Sequence, residues 1–92
     1  DLTDRVALVL GEGEAVETKA GFLSRAGATL RRAARFSPDL LDGCAIAVGA
    51  GAPEDDLQAL SAACKARGVP VNVVDRTELC SFIMPAIVDR AP

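Results

Sequence analysis

The sequence predicts an α/β fold, a parallel sheet with helices on its faces. Three features predict it: short runs that are apolar throughout, glycine-bearing turns where those runs end, and helical periodicity beyond the turns. A strand that is apolar at every position suits burial on both faces, which is the habit of parallel sheets. Strands alternating with helices across short loops then imply crossover connections. At 92 residues the chain can bury one core and not two.

The first strand is Arg5-Val-Ala-Leu-Val-Leu10, which stops at Gly11-Glu12-Gly13. From Glu14 the period changes, and Ala15, Val16, Ala20, Phe22, Leu23 and Ala26 form a broad helical stripe ended by Gly27. Thr29 to Phe36, interrupted by Arg31, Arg32 and Arg35, reads as a weak edge strand. Ser37-Pro38-Asp39-Leu40-Leu41 predicts a single helical turn with Ser37 as N-cap, ended by Gly43. Ala45 to Val48 is a second buried strand, running into Gly49-Ala50-Gly51-Ala52. Pro53 opens the next helix with Glu54, Asp55 and Asp56 in its first turn; Lys65 and Arg67 close it before Gly68. Leu57, Leu60 and Cys64 mark its buried face. Val69 to Val74 is the next apolar strand, ending at Asp75, and Glu78-Leu79-Cys80 a short turn. Pro85 restricts Phe82 to Val88 to an irregular or edge strand.

Composition narrows the chemistry. Half the residues are apolar and 25% are charged, an ordinary globular balance. A net charge of −3 argues against a nucleic-acid partner, which calls for a basic face. Cys44 to Pro53, the longest nearly uncharged stretch, is about half a bilayer crossing, so a soluble, cytoplasmic protein with no membrane contact is expected. The chain has no histidine, which removes His-based zinc sites and His acid or base chemistry. Cys44, Cys64 and Cys80 form no C-x-x-C pair and read as free thiols in a reducing compartment. With three Phe and neither Trp nor Tyr, any site is built from backbone, carboxylates, hydroxyls and a few cations.

Ligands on open parallel sheets bind beyond the carboxyl ends of the strands, so Gly11 to Glu14, Gly49 to Ala52 and Asp75 to Thr77 are expected to converge on one crevice. Gly11-x-Gly13 between strand and helix matches the opening of a dinucleotide fingerprint, in which free N–H groups face a pyrophosphate; a merely tight turn is the alternative. Val16 stands at the third fingerprint position, and arginines replace the ribose-binding acid about 20 residues on. Those arginines suit either a 2′-phosphate or a solvated edge. Asp75 is a candidate general acid or base, or metal ligand, with a turn cap as the alternative. Glu54, Asp55 and Asp56 read as complements to the helix dipole.

The segment Val71-Asn-Val-Val-Asp75-Arg-Thr-Glu-Leu-Cys-Ser-Phe82-Ile-Met-Pro85-Ala-Ile-Val-Asp89-Arg90 strongly resembles the N-terminal domain of siroheme synthases, the precorrin-2 dehydrogenase family. Gly11, Gly13, Glu14, Glu17 and Lys19 are similar to that family's glycine-rich turn and helix, and Leu41-Asp-Gly43-Cys44 and Ala63-Cys-Lys-Ala-Arg-Gly68 also match. The resemblance implies one Rossmann-like, NAD-binding domain over residues 1–92, shortened by one βα unit between Gly27 and Leu41, as a fragment or shortened form of a longer chain. It implies dehydrogenation of precorrin-2 to sirohydrochlorin with NAD, with ferrous iron as a further substrate of a ferrochelatase step. Asp75 matches the aspartate implicated in both steps. Gly11, Glu12, Gly13, Glu14 and Ala15, with Gly49, Ala50 and Gly51, match the cofactor loops; Asn72, Phe82 and Pro85 match the tetrapyrrole wall. No resident metal is implied, and the full-length protein is expected to be a homodimer. Ala50-Gly51-Ala52-Pro53 departs from the family's Ala-Thr-Asp-Asp loop, and the chain stops at Pro92 where the family continues. The alternative reading is a non-catalytic, degenerate dinucleotide module that serves folding or dimerisation in a tetrapyrrole enzyme.

Overall fold

The computed structural model describes residues 2–82. Their sheet has four parallel strands, β1 (Val6–Leu10), β2 (Thr29–Ala33), β3 (Cys44–Gly49) and β4 (Val71–Val73), in the order β2-β1-β3-β4. Helix α1 (Glu14–Arg25) joins β1 to β2, and α2 (Glu54–Arg67) joins β3 to β4. Single 3-10 turns occupy Pro38–Leu41 and Thr77–Leu79. This is a short Rossmann-like sheet. The elements follow the sequence reading to within a residue or two, except that β2 ends at Ala33 where Thr29 to Phe36 is expected and β4 is three residues where Val69 to Val74 is expected.

Alternate side chains of the same strands feed two cores, which is why the runs carry no polar interruption. Leu8, Leu10, Ala47, Val71 and Val73 pack with Leu41, Leu57, Leu60 and Cys64 on the α2 side. Ala7, Val9 and Val48 pack with Val16, Ala20 and Leu23 on the α1 side. Burying a leucine such as Leu8 or Leu60 contributes about 1.5–3 kcal/mol. Val16 is fully buried, so the third fingerprint position is filled by core packing and not by the close backbone approach a glycine permits. Ser37 precedes its 3-10 turn as expected, yet its hydroxyl bonds the Asp39 carboxylate and caps no backbone N–H.

The connectivity places the site. From β1 the chain moves outward to β2, and from β3 it moves outward the other way to β4. The loops leaving β1 and β3 therefore diverge from adjacent strands at a topological switch point, where a crevice opens at the carboxyl edge. The two borders of the sheet are finished differently. Beyond β4, Ser81 donates its N–H to Val71 O at 2.8 Å and accepts the Val71 N–H on its hydroxyl at 2.9 Å. The Cys80 sulfur accepts the Val73 N–H at 3.2 Å. Residues 80–82 thus patch the border of β4. The expected strand over Phe82 to Val88 lies, after Phe82, outside the described residues.

Candidate functional site

Strand β1 delivers Gly11 at φ 104°, with its N–H on Ala33 O at 2.8 Å. A Cβ there would lie 1.9 Å from Ala50 O, so only glycine lets the β1 and β3 loops touch. The fit is reciprocal, because a Cβ on Gly51, at φ 70°, would lie 1.8 Å from Glu12 O. Gly13, at φ 112° and ψ 171°, is the N-cap of α1; no side chain caps the helix, and nothing stands within 4 Å of where a Cβ would be. The Glu17 N–H reaches Gly13 O at 3.1 Å and closes the first turn, which leaves the N–H groups of Glu14, Ala15 and Val16 without intrahelical acceptors. Glu12, Gly13, Glu14 and Ala15 are exposed there. Such a turn offers free donors, the positive end of a helix dipole and room for close approach, the requirements of a bound pyrophosphate.

The other predicted cofactor residues divide. Ala50 is buried with its carbonyl against Gly11, while Gly51 is exposed. Gly49 is buried beneath α2: its Cβ would lie 2.9 Å from Leu60 Cδ2 and 3.1 Å from Leu57 Cδ2. Its missing side chain makes room for the helix.

The arginines are not a simple solvated edge. Arg31 donates to Leu40 O at 2.6 Å and Asp42 O at 2.8 Å. Arg32 meets the Glu17 carboxylate at 2.7 and 3.0 Å, which holds that carboxyl below its ordinary range and offsets a negative charge beside the α1 start. Arg35 Nε and the Phe36 N–H share Asp56 Oδ2, at 2.8 and 2.7 Å. Two of the three acids of α2 likewise do more than complement a dipole: Asp56 ties the loop after β2 to α2, and Glu54 Oε1 accepts from Arg76 at 2.5 Å. Nothing in the sequence pairs Arg35 with Asp56, 21 residues away.

At the end of β4, Asp75 adopts φ 63° and is exposed. A left-handed residue other than glycine costs roughly 1–2 kcal/mol. Asp4 shares that conformation in a turn away from the site, so the angle alone does not mark chemistry. What distinguishes Asp75 is that its carboxylate caps nothing and has no partner among the described residues. It lines a cavity of about 220 Å³ between α1 and the end of β4. Asn72, buried, lines the same cavity and donates its Nδ2 to Phe82 O at 3.2 Å. The structure thereby joins two of the predicted wall residues; the third, Pro85, lies outside the described residues. A larger cavity of about 320 Å³, lined in part by Val69, Pro70 and Phe82, lies at the opposite end of β4, away from the strand ends where the loops meet.

The cysteines take no visible part. Burial pushes the Cys64 thiol up to about 11, with a smaller push from nearby Cys44, so it is inert as a nucleophile. Among the described residues no group of three or more His, Cys, Asp or Glu side chains could hold a metal ion.

The model of a family described as NAD(P)-binding matches residues 29–86. The chain belongs to this family. Over its whole length it is also similar to curated siroheme synthases: 41% identical to that of Pseudomonas aeruginosa strain PAO1, 37% to that of Methylobacillus flagellatus and 34% to that of Nitrosomonas eutropha. These matches cover 99–100% of this chain and 24% of each relative, so the chain spans about a quarter of their length and corresponds to their N-terminal domain. The alignment to the Methylobacillus protein runs over 112 residues against the 92 here, in keeping with a chain shorter by about one βα unit. The chain is thus a domain of the NAD(P)-binding family that is similar to about a quarter of each siroheme synthase, and no helix among the described residues is long and apolar enough to cross a membrane.

Proposed function

We propose that this domain dehydrogenates precorrin-2 to sirohydrochlorin with NAD, as the cytoplasmic, homodimeric siroheme synthase it belongs to makes siroheme. The observation that carries the reading is Asp75, a carboxylate with no partner among the described residues that lines a cavity at the end of β4, in a chain similar to siroheme synthases. The start of α1 fits a dinucleotide, since Gly13 leaves open the space a Cβ would fill. Gly11, Glu12, Gly13, Glu14 and Ala15 would hold the pyrophosphate through backbone N–H groups, with Ala50 and Gly51 on the facing loop. Bound there, the nicotinamide supplies a hydride acceptor. NAD is favoured over NADP because Arg31, Arg32 and Arg35, the cations nearest the end of β2, are each already engaged within the chain.

Two-electron oxidation of the substrate releases a hydride and a proton, and Asp75 takes or positions the proton. Asn72 lines the cavity beside Asp75 and its carboxamide binds the Phe82 carbonyl, while Phe82 itself lines the cavity at the other end of β4. In a subsequent chelation, ferrous iron would enter as substrate and the Asp75 carboxylate would receive pyrrole protons.

Two measurements test this. Titrating the chain with NAD and NADP is expected to move the amide resonances of Gly11, Gly13 and Gly51 saturably, more tightly with NAD; a folded spectrum unmoved at millimolar NAD would leave only the non-catalytic module. In the full-length protein, Asp75→Asn should keep the fold and abolish NADH formation from precorrin-2. Unchanged turnover removes Asp75 from the mechanism.

A further inference from the structure

We infer that Arg76 is a positioning residue for Asp75: its clasp between α2 and the turn after β4 fixes the backbone from which Asp75 presents its carboxylate. The inference rests on the dehydrogenase reading above and deepens it. The Arg76 N–H bonds Val73 O at 3.1 Å and closes a four-residue turn, Val73 to Arg76. Asp75 stands third in that turn at φ 63°, and Val74 before it is not at positive φ, the type II pattern that favours glycine or asparagine in the third place. The turn is fastened at both ends. Near its start the Val74 N–H reaches Gly49 O of β3 at 3.0 Å. At its finish the Arg76 side chain donates from Nη1 to Glu54 Oε1 of α2 at 2.5 Å and from Nε to Glu78 Oε2 at 2.8 Å. Gln58 Nε2 donates to the other Glu54 oxygen at 2.7 Å, so the acceptor is itself held. All four residues of the turn line the cavity of about 220 Å³.

The chain contains the same turn a second time, and the comparison isolates what the clasp adds. Leu2-Thr3-Asp4-Arg5 is closed by the Arg5 N–H on Leu2 O at 2.9 Å, with Asp4 third at φ 65° and an arginine fourth. Arg5 has no ion pair among the described residues. Local hydrogen bonding is therefore enough to form such a turn, and the clasp is not what makes Asp75 left-handed. It adds a tie to a separate element, since Glu54 lies 22 residues from Arg76, in the first turn of α2. Ion pairs this open to solvent contribute little stability, but a planar guanidinium gripped by two carboxylates fixes direction. A proton acceptor works only within hydrogen-bond reach of its proton, and a displacement of about 1 Å is enough to cost turnover.

The test uses the full-length protein with precorrin-2 and NAD, and follows the single-turnover rate of NADH formation as each substrate is varied. Arg76→Met should lower the saturated rate at least about tenfold, while half-saturation by precorrin-2 and by NAD stays within about threefold. Arg76→Lys, a point charge that cannot meet both carboxylates as the guanidinium does, should recover only part of the loss. Glu54→Gln leaves Glu78 in place and should lower the rate about threefold, with no further loss when combined with Arg76→Met. If Arg76 bound a substrate carboxylate directly, Arg76→Met would raise half-saturation by precorrin-2, and Glu54→Gln, by freeing the guanidinium, would lower it. Either of those results overturns this inference alone, as does an unchanged rate in Arg76→Met beside dead turnover in Asp75→Asn. A parent protein that forms no NADH, or an Asp75→Asn variant with normal turnover, overturns the dehydrogenase reading with it. Arg76→Gln and Glu54→Gln carry the same comparison if Arg76→Met does not fold.

Discussion

The two helices of this domain begin at neighbouring loops on the same edge of the sheet, and they begin in opposite ways. Helix α1 starts from Gly13 with no capping side chain and open space before it. Helix α2 starts from Pro53 with Glu54, Asp55 and Asp56 in its first turn. Both present the positive end of a dipole, but α2 answers it with its own carboxylates, two of them tied to Arg76 and Arg35. In α1 the first turn holds Glu14 and Glu17, the latter paired with Arg32, behind an exposed glycine turn. The two starts differ in what precedes the first turn: a glycine turn with room for close approach at α1, a proline at α2.

The contrast can be broken most severely at Gly11. Gly11→Ala sets a Cβ 1.9 Å from Ala50 O at φ 104°, and both partners are backbone, so the two loops must separate. We expect this variant to lose nucleotide binding entirely and to melt well below the parent in a thermal scan; a parent-like melt with intact NAD affinity would show that the loops do not need to touch. Gly13→Ala is milder, since its Cβ meets nothing. Holding alanine at φ 112° should cost about 1–3 kcal/mol in denaturant unfolding. The new methyl should also raise the NAD dissociation constant about tenfold or more by keeping phosphate from the backbone.

The smallest effect belongs to α2. The Arg76 and Gln58 hydrogen bonds hold the Glu54 carboxyl down to about 2, against an ordinary value of 4.5. A carboxyl lowered on folding contributes stability above its unfolded value, and that contribution is lost as pH falls from about 4.5 through about 2. Glu54→Gln should therefore flatten the fall of the melting midpoint over that window, with a small change at neutral pH because the pair is exposed to solvent. NAD affinity should be untouched. An affinity change at Glu54→Gln would mean that α2 shares the nucleotide site after all.

Much of this architecture was legible before any coordinates. The runs at Val6–Leu10 and Cys44–Gly49 were visible as strands because both faces of a parallel sheet are covered, and α1 and α2 because their apolar stripes and flanking Gly13, Pro53 and Gly68 are local signals. Gly11-x-Gly13 was visible for the same reason. The role of Gly49 was not: its loop reads as a ligand approach, and only the overlying Leu57 and Leu60 reveal a packing glycine. Nor could the row of arginines be assigned, since Glu17, the Leu40 and Asp42 carbonyls and Asp56 reach them from other parts of the chain. Asp75 was found by its place at a strand end and by family resemblance; its freedom from a cap needed the structure.

By itself the sequence determined the element order, the parallel sheet, the glycine turn and the family, because hydrophobic period, turn chemistry and motif spacing act between residues close in the chain. Only the tertiary structure decided that the β1 and β3 loops interlock at Gly11 and Gly51, that Glu54 and Asp56 of α2 pair with Arg76 and Arg35, and that Lys19 and Asp75 share one cavity. Those are encounters between segments distant in sequence, and they follow from the crossing of α1 and α2 over opposite faces of the sheet, which no local pattern records.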